Sequence, residues 1–358
     1  MLKSYNFPSV YEATNQELKN VAENILDGIK INLDDNEYII GNLALVEGHS
    51  PHKSINAAPS DAEYKLLSEA SLLLTQPKGE EEIYLTTGFP FATYMLYRDK
   101  ATEVLQGRHI INYDAATFGG PANTKREVNV GKVEVIPEIQ GCTIAIREGE
   151  LQEKDNFFIV SLGYGTCEAI VSTRAGLINR SAVSTHGIRH AVNLLSNELA
   201  KTFYLNMKTE HQIDVAFQKG SITVNRVKHN ILDLREKVLR MYYKEVISPN
   251  LRRAFTDDDF NKCSKMYLVG GGALYPELVN CVKEEFGDIV EIVIYPEPDK
   301  CASHGYCLNS KIKAQATKSN IPGNIETEEI KIFRNQQLAV GMDIGNANTC
   351  VTLYKETE

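Results

Sequence analysis

The chain has 358 residues, 43% of them hydrophobic and 24% charged, with a formal net charge of −9. That stock suits a globular protein with two cores. The acidic balance argues against a broad nucleic-acid face, which needs clustered Lys and Arg to neutralise phosphates. The lack of an apolar run of about 18 residues argues against a membrane-spanning helix.

The opening "MLKSYNFPSV" lacks the apolar core of a signal peptide. Next, "KINLDDNEYIIGNLALVEG" reads as strand, turn and strand, with Asp34, Asp35 and Asn36 in the turn. "SDAEYKLLSEASLLLTQ" predicts a helix capped by Ser60 or Asp61. "EEIYLTTGFP" predicts a buried strand, and "REVNVGKVEVIPE" alternates strictly until Pro137 stops it. "FGGPANTK" between them is an exposed loop. A second β-rich block starts at "NFFIVSLGYGTCEAIVSTRAGLI", and helical sequence follows from Gly187. The segment Lys311–Gln336 is polar, carries Pro322-Gly323, and reads as a connector. Seven cysteines without a CxxC pair read as reduced thiols of a cytoplasmic protein. Cys301 and Cys307, with His304 between them, form a poor metal set, as do His186 and His190 without a third ligand.

Three glycine-rich turns carry the chemistry. "GMDIGNANTCVTLY" near the end of the chain and "IVSLGYGTCEAIVS" in the middle share an order: apolar strand, small polar residue, glycine turn, Thr-Cys, second strand. Gly345 in one, and Gly163 and Gly165 in the other, let backbone N–H groups gather around an anion. The side chains of Asn346, Asn348, Thr349 and Thr166 offer further donors to phosphate. Asp343 would repel phosphate, so its natural task is to hold Mg²⁺ through water. The third turn, Gly270, Gly271 and Gly272, lies between a strand and a helix, where amides and a helix dipole face an anion. Each turn alone also fits an ordinary tight connection. Neither the GxxxxGK[ST] nor the GxGxxG spacing is present.

Taken together, two phosphate hairpins and a glycine turn resemble the actin-like ATPase superfamily, and most closely the ParM-type plasmid-segregation actins. "IYLTTGFPFATYMLYRDKATEVL" with Thr87 and Pro90, "VEVIPEIQG", and "YPEPDKCASHGYCLNSK" with Ala302 and Gly305 extend the resemblance. It implies two ribonuclease-H-like α/β domains flanking a nucleotide cleft, with ATP or GTP and Mg²⁺ as cofactors. It also implies Glu138 near the attacking water, Gly187 beside the ribose, and nucleotide contacts from Tyr164 and Ala273. One departure stands out: the family usually opens its second hairpin with an aspartate, and here Ser161 takes that place, with Glu168 farther along.

In that family the acid-bearing hairpin comes first; here it comes last. The sequence thus resembles a circularly permuted ParM-like protein. The expected organisation is residues 1–150 plus 338–358 as the first domain and 151–310 as the second, closed by a terminal helix. Residues 311–337 would join the ancestral termini. A coil of that length spans about 25–30 Å, sufficient to bridge neighbouring ends, and cuts at exposed turns are tolerated.

The function so implied is a cytoplasmic NTPase that polymerises with itself and moves plasmid DNA through a ParR-like DNA-binding adaptor, without touching DNA or membrane directly. Two other classes are open on the same fold: a small-molecule kinase, disfavoured by Ser161, and a non-filamentous assembly ATPase.

Overall fold

A computed structural model describes residues 1–54, 57–77, 81–203, 210–319 and 337–355. The chain divides into two compact units, residues 1–152 with 302–358, and residues 153–301.

Unit 1 is built on β1 (Leu2–Pro8), β2 (Val10–Ala13), β3 (Lys30–Leu33), β4 (Asn36–Ile40), β5 (His52–Lys53), β6 (Glu82–Phe89), β7 (Gly107–Tyr113) and β8 (Thr124–Pro137). Unit 2 holds β9 (Phe157–Leu162), β10 (Thr166–Thr173), β11 (Gly176–His186), the small hairpin β12 (Ser221–Val224) with β13 (Val227–Asn230), and then β14 (Lys265–Val269) and β15 (Glu291–Ile294). The tail returns β16 (Gln337–Ile344) and β17 (Asn348–Tyr354) to unit 1.

The ten strands of unit 1 run in the order β1-β17-β16-β6-β8-β7-β3-β4-β2-β5. The tail hairpin is therefore inserted between the first strand of the chain and β6. β1 pairs antiparallel with β17 from Leu2↔Tyr354 to Pro8↔Asn348, and the Met1 ammonium donates to the Lys355 carbonyl at 2.8 Å. On its other side β16 runs parallel to β6, with Met342 opposite Thr87. Both tail strands are apolar enough to be covered on both faces. Val340, Met342, Val351 and Leu353 join Phe7, Tyr64 and Leu85 in the unit 1 core.

The helix Cys301–Ser319 corrects two expectations. It packs in unit 1 from Ala302 onward rather than closing the second domain. The reason lies in glycine: a side chain at Gly305 would collide with the Gly141 carbonyl, and one at Gly341 with the backbone of Ser303 and Cys307. Only bare backbone lets this helix settle against β16 and the helix Glu138–Glu148. The helix also takes in residues 311–319, so the connector does not begin at Lys311; residues 320–336 lie outside the described residues.

In unit 2 the sheet order is β11-β10-β9-β14-β15, with β9, β14 and β15 parallel. Phe158, Val160 and Leu268 form its core with helices Arg189–Phe203 and Leu232–Tyr242 and their neighbours. All seven cysteines are buried and free. Among the described residues no helix is long and apolar enough to cross a membrane.

Candidate functional site

In unit 1, parallel β16, β6 and β8 finish at one edge of the sheet. Met342 lies opposite Thr87, and Phe89 opposite Pro137, so Asp343 and Glu138 are carried to that edge from strands two apart. The carboxyl ends of parallel strands are where open α/β sheets place their ligands. Pro137 ends β8 because it lacks an N–H, and its fixed φ leads directly into the helix that begins with Glu138. Loss of hydration, reinforced by the negative charge of Glu138, raises the Asp343 carboxyl to about 8. An acid pair in that state fits a divalent cation, whose charge would favour both carboxylates. Among the described residues no three His, Cys, Asp or Glu side chains gather to ligate a metal directly. A cation here would depend on water or a bound anion for the rest of its shell.

The tail turn is tight. The Gly345 N–H donates to the Asn348 carbonyl at 3.0 Å, and a Cβ on Gly345 would stand 2.7 Å from that oxygen, so glycine is required. Asn348 is exposed and Asn346 half-buried at the tip. Thr349 departs from expectation: it is fully buried, and its hydroxyl lies 2.9 Å from the Ser9 hydroxyl. Its side chain supports the turn from beneath and is not a phosphate donor. Ser9, which sequence reasoning passed over, also donates its hydroxyl to the Gly345 carbonyl at 2.6 Å and its N–H to the Ala347 carbonyl at 2.9 Å.

In unit 2 the turn 163–165 is secured differently. Its three carbonyls accept the N–H groups of Ile188, Arg189 and Gly187 at 3.0, 2.9 and 3.1 Å, at the entry to helix Arg189–Phe203. Gly187 is glycine for that reason: a Cβ would stand 2.5 Å from the carbonyl oxygens of Gly163 and Tyr164. Gly187 thus has a packing role that the sequence did not announce. Tyr164 is likewise turned toward the unit 2 core, where its hydroxyl donates to Glu210 at 3.0 Å. Burial, then Asp214 and Glu210, raise that phenol well above its usual range. Arg189 forks onto the same carboxylate at 2.7 and 2.9 Å. This Tyr164–Glu210–Arg189 lock joins residues 21 and 46 positions apart, and no local motif announced it. Thr166 opens β10 opposite His186. His186 stacks on His190 at 5.9 Å.

The glycines after β14 divide by purpose. Gly270 takes φ 81° and ψ 163°, a region essentially reserved for glycine. Side chains on Gly270 and Gly272 would strike the backbone of Leu162, whereas one on Gly271 would meet open space. These residues lead into a 3₁₀ turn, Gly271–Leu274, which buries Ala273, and the longer helix starts only at Pro276. The glycines therefore do not open the helix itself, as the sequence suggested. Ser161 and Glu168 face each other across β9 and β10, both buried.

Residues 2–141 match the model of the N-terminal domain of actin-like proteins, a stretch that excludes the tail hairpin. The whole chain is similar to a non-polymerisable quadruple mutant of pCBH ParM, at 17% identity and a TM-score of 0.71, with 86% of this chain and 92% of that one covered. The fold is actin-like. A 15-stranded ParM filament from Clostridium botulinum is similar at 16% identity and a TM-score of 0.70, over 86% of this chain and 92% of that one. An archaeal actin homolog in complex with ADP is similar at 15% identity and a TM-score of 0.63, over 87% and 92%. No curated protein matches the sequence. The actin-like chain thus resembles ParM-type proteins in architecture while its tail hairpin lies outside the matched N-terminal domain.

Proposed function

We propose that this actin-like chain binds ATP or GTP with Mg²⁺, hydrolyses it, and assembles with copies of itself into filaments that move plasmid DNA in the cytoplasm through a ParR-like adaptor. The observation that carries the reading is the meeting of Asp343 and Glu138 at one strand edge, brought there by strands far apart in the sequence. In this reading the sequence is a circular permutant of the ParM-type order, the old termini joined through the stretch after Ser319 and new ones opened beside the β1–β17 pair. The antiparallel pairing of those two strands supports it, since a short link from Lys355 to Met1 would continue one meander.

When bound, Mg²⁺ supplies charge neutralisation on the phosphates. The chain's residues do the remainder. Amides at the tip of the Gly345 turn would grip phosphate, Asp343 would hold the metal through water, and Glu138 would orient the attacking water. The filament part rests on likeness to proteins solved as filaments, including a ParM and Alp12.

Negative-stain electron microscopy with and without ATP or GTP, run beside a phosphate-release assay, tests the proposal. Nucleotide-dependent filaments with phosphate release are expected. Phosphate transfer only to an added small-molecule acceptor would mean a kinase instead, and turnover without filaments would mean a non-filamentous assembly ATPase.

A further inference from the structure

We infer that Ser9 is the positioning residue of the tail turn, a clamp from the head of the chain that shapes the phosphate grip at its far end. This deepens the proposed nucleotide site and rests on that reading. β1 pairs with β17 only as far as Pro8↔Asn348. Pro8 has no N–H to continue a ladder, and the next amide, that of Ser9, crosses to the Ala347 carbonyl within the turn at 2.9 Å. The Ser9 hydroxyl owns one proton and gives it to the Gly345 carbonyl at 2.6 Å, so the Thr349 hydroxyl, 2.9 Å away, donates to Ser9. The Ser9 carbonyl in turn accepts the Ser54 N–H at 2.9 Å, tying the clamp into unit 1. Ser9 and Thr349 are both fully buried, so water does not replace a missing partner at no cost.

The geometry has a directional consequence. With the carbonyls of Gly345 and Ala347 both drawn to Ser9, the turn's peptide planes are fixed, and with them the direction of the amides proposed to meet phosphate. A turn left to rock about these planes would hold phosphate poorly even while the sheet beneath stayed intact.

The test compares wild type, Ser9→Ala, Thr349→Val and Thr349→Ser by equilibrium binding of fluorescently labelled ATP and GTP with Mg²⁺, by thermal melting, and by hydrogen exchange over residues 345–349. Ser9→Ala is expected to weaken nucleotide binding about tenfold, the scale of one lost buried hydrogen bond, and to speed exchange in the turn. Its melting temperature should fall by only a few degrees, about 2–4 °C, with the fold retained. Thr349→Val, which leaves the Ser9–Gly345 bond, should lose less affinity, and Thr349→Ser, which keeps the hydroxyl, should bind like wild type. If Ser9→Ala fails to fold, Ser9→Cys, which fills the same space with a weak donor, is measured in its place. Wild-type affinity in Ser9→Ala, or in Ser9→Cys should it be needed, overturns the clamp and leaves the nucleotide site standing. Wild type that binds neither nucleotide overturns the site and the clamp together.

Discussion

The tail hairpin of unit 1 and the β9–β10 hairpin of unit 2 share a pattern of strand, glycine turn, Thr-Cys and strand. They are held by opposite means. The tail turn is gripped through its carbonyls by one buried serine from the head of the chain, and it carries an acid, Asp343, beside a second acid. The middle turn is gripped by three amides entering the next helix, and its matching position is the neutral Ser161 opposite a buried Glu168. Similar sequence therefore specifies the shape of a turn but not its charge or its anchor. In one hairpin the anchor is local, within about two dozen residues; in the other it is more than 330 residues away.

The sharpest way to break this comparison is to disturb the local anchor. Gly187→Ala should destabilise unit 2 by about 2–3 kcal/mol, because the new Cβ meets backbone oxygens at 2.5 Å that have nowhere to move. Urea titration followed by circular dichroism checks it. Its control is Gly271→Ala, where open space should hold the stability change within about 0.5 kcal/mol while nucleotide affinity falls. If both variants behave alike, the division of these glycines into packing and ligand roles fails.

A smaller effect is expected from restoring charge. Ser161→Asp would face Glu168 directly across the strands, and because both positions are buried the like charges destabilise by at least about 1 kcal/mol. Mg²⁺ with nucleotide should recover that loss and raise the rate of phosphate release. An unchanged rate and unchanged metal dependence would remove the idea that the second hairpin is short of an acid.

Smallest are the pH effects, which carry opposite signs in the two units. In unit 2, the hydrogen bond from Arg180 holds Asp259 down at about 2, and Lys265 does the same for Glu153. Their contribution is complete above the ordinary carboxylate range and is lost as pH falls toward 2. In unit 1, the raised Asp343 contributes most below the ordinary aspartate value and loses that contribution as pH climbs toward 8. Hydrogen exchange between pH 3 and 8 should show unit 2 loosening first in acid. Equal loosening of both units would count against these pairings.

Much of the fold could be read from the chain. Strict alternation up to Pro137 defined β8, and the glycines of the three turns were recognisable because close backbone approach leaves few alternatives. Asp343 was legible as an acid beside a glycine turn, whereas Glu138 entered only through the family resemblance. What escaped was whatever depends on distant partners. Thr349 looks like a donor until Ser9 is found beneath it, and Tyr164 like a ligand contact until Glu210 and Arg189 claim it. The helix Cys301–Ser319 follows unit 2 in sequence and packs in unit 1, because Gly141, Gly305 and Gly341 fit one another across more than 150 residues. No local propensity encodes such meetings.

In the proposed reading, the end of the chain builds the phosphate and metal site of unit 1. It is tested most directly by Mg²⁺-dependent phosphate release from ATP and GTP, comparing wild type with Asp343→Asn and Glu138→Gln. The expected result is steady release by wild type and a loss of roughly 100-fold in each variant, the scale for removing one group that acts on the developing charge. Release by Asp343→Asn at the wild-type rate, with unchanged Mg²⁺ dependence, would contradict it.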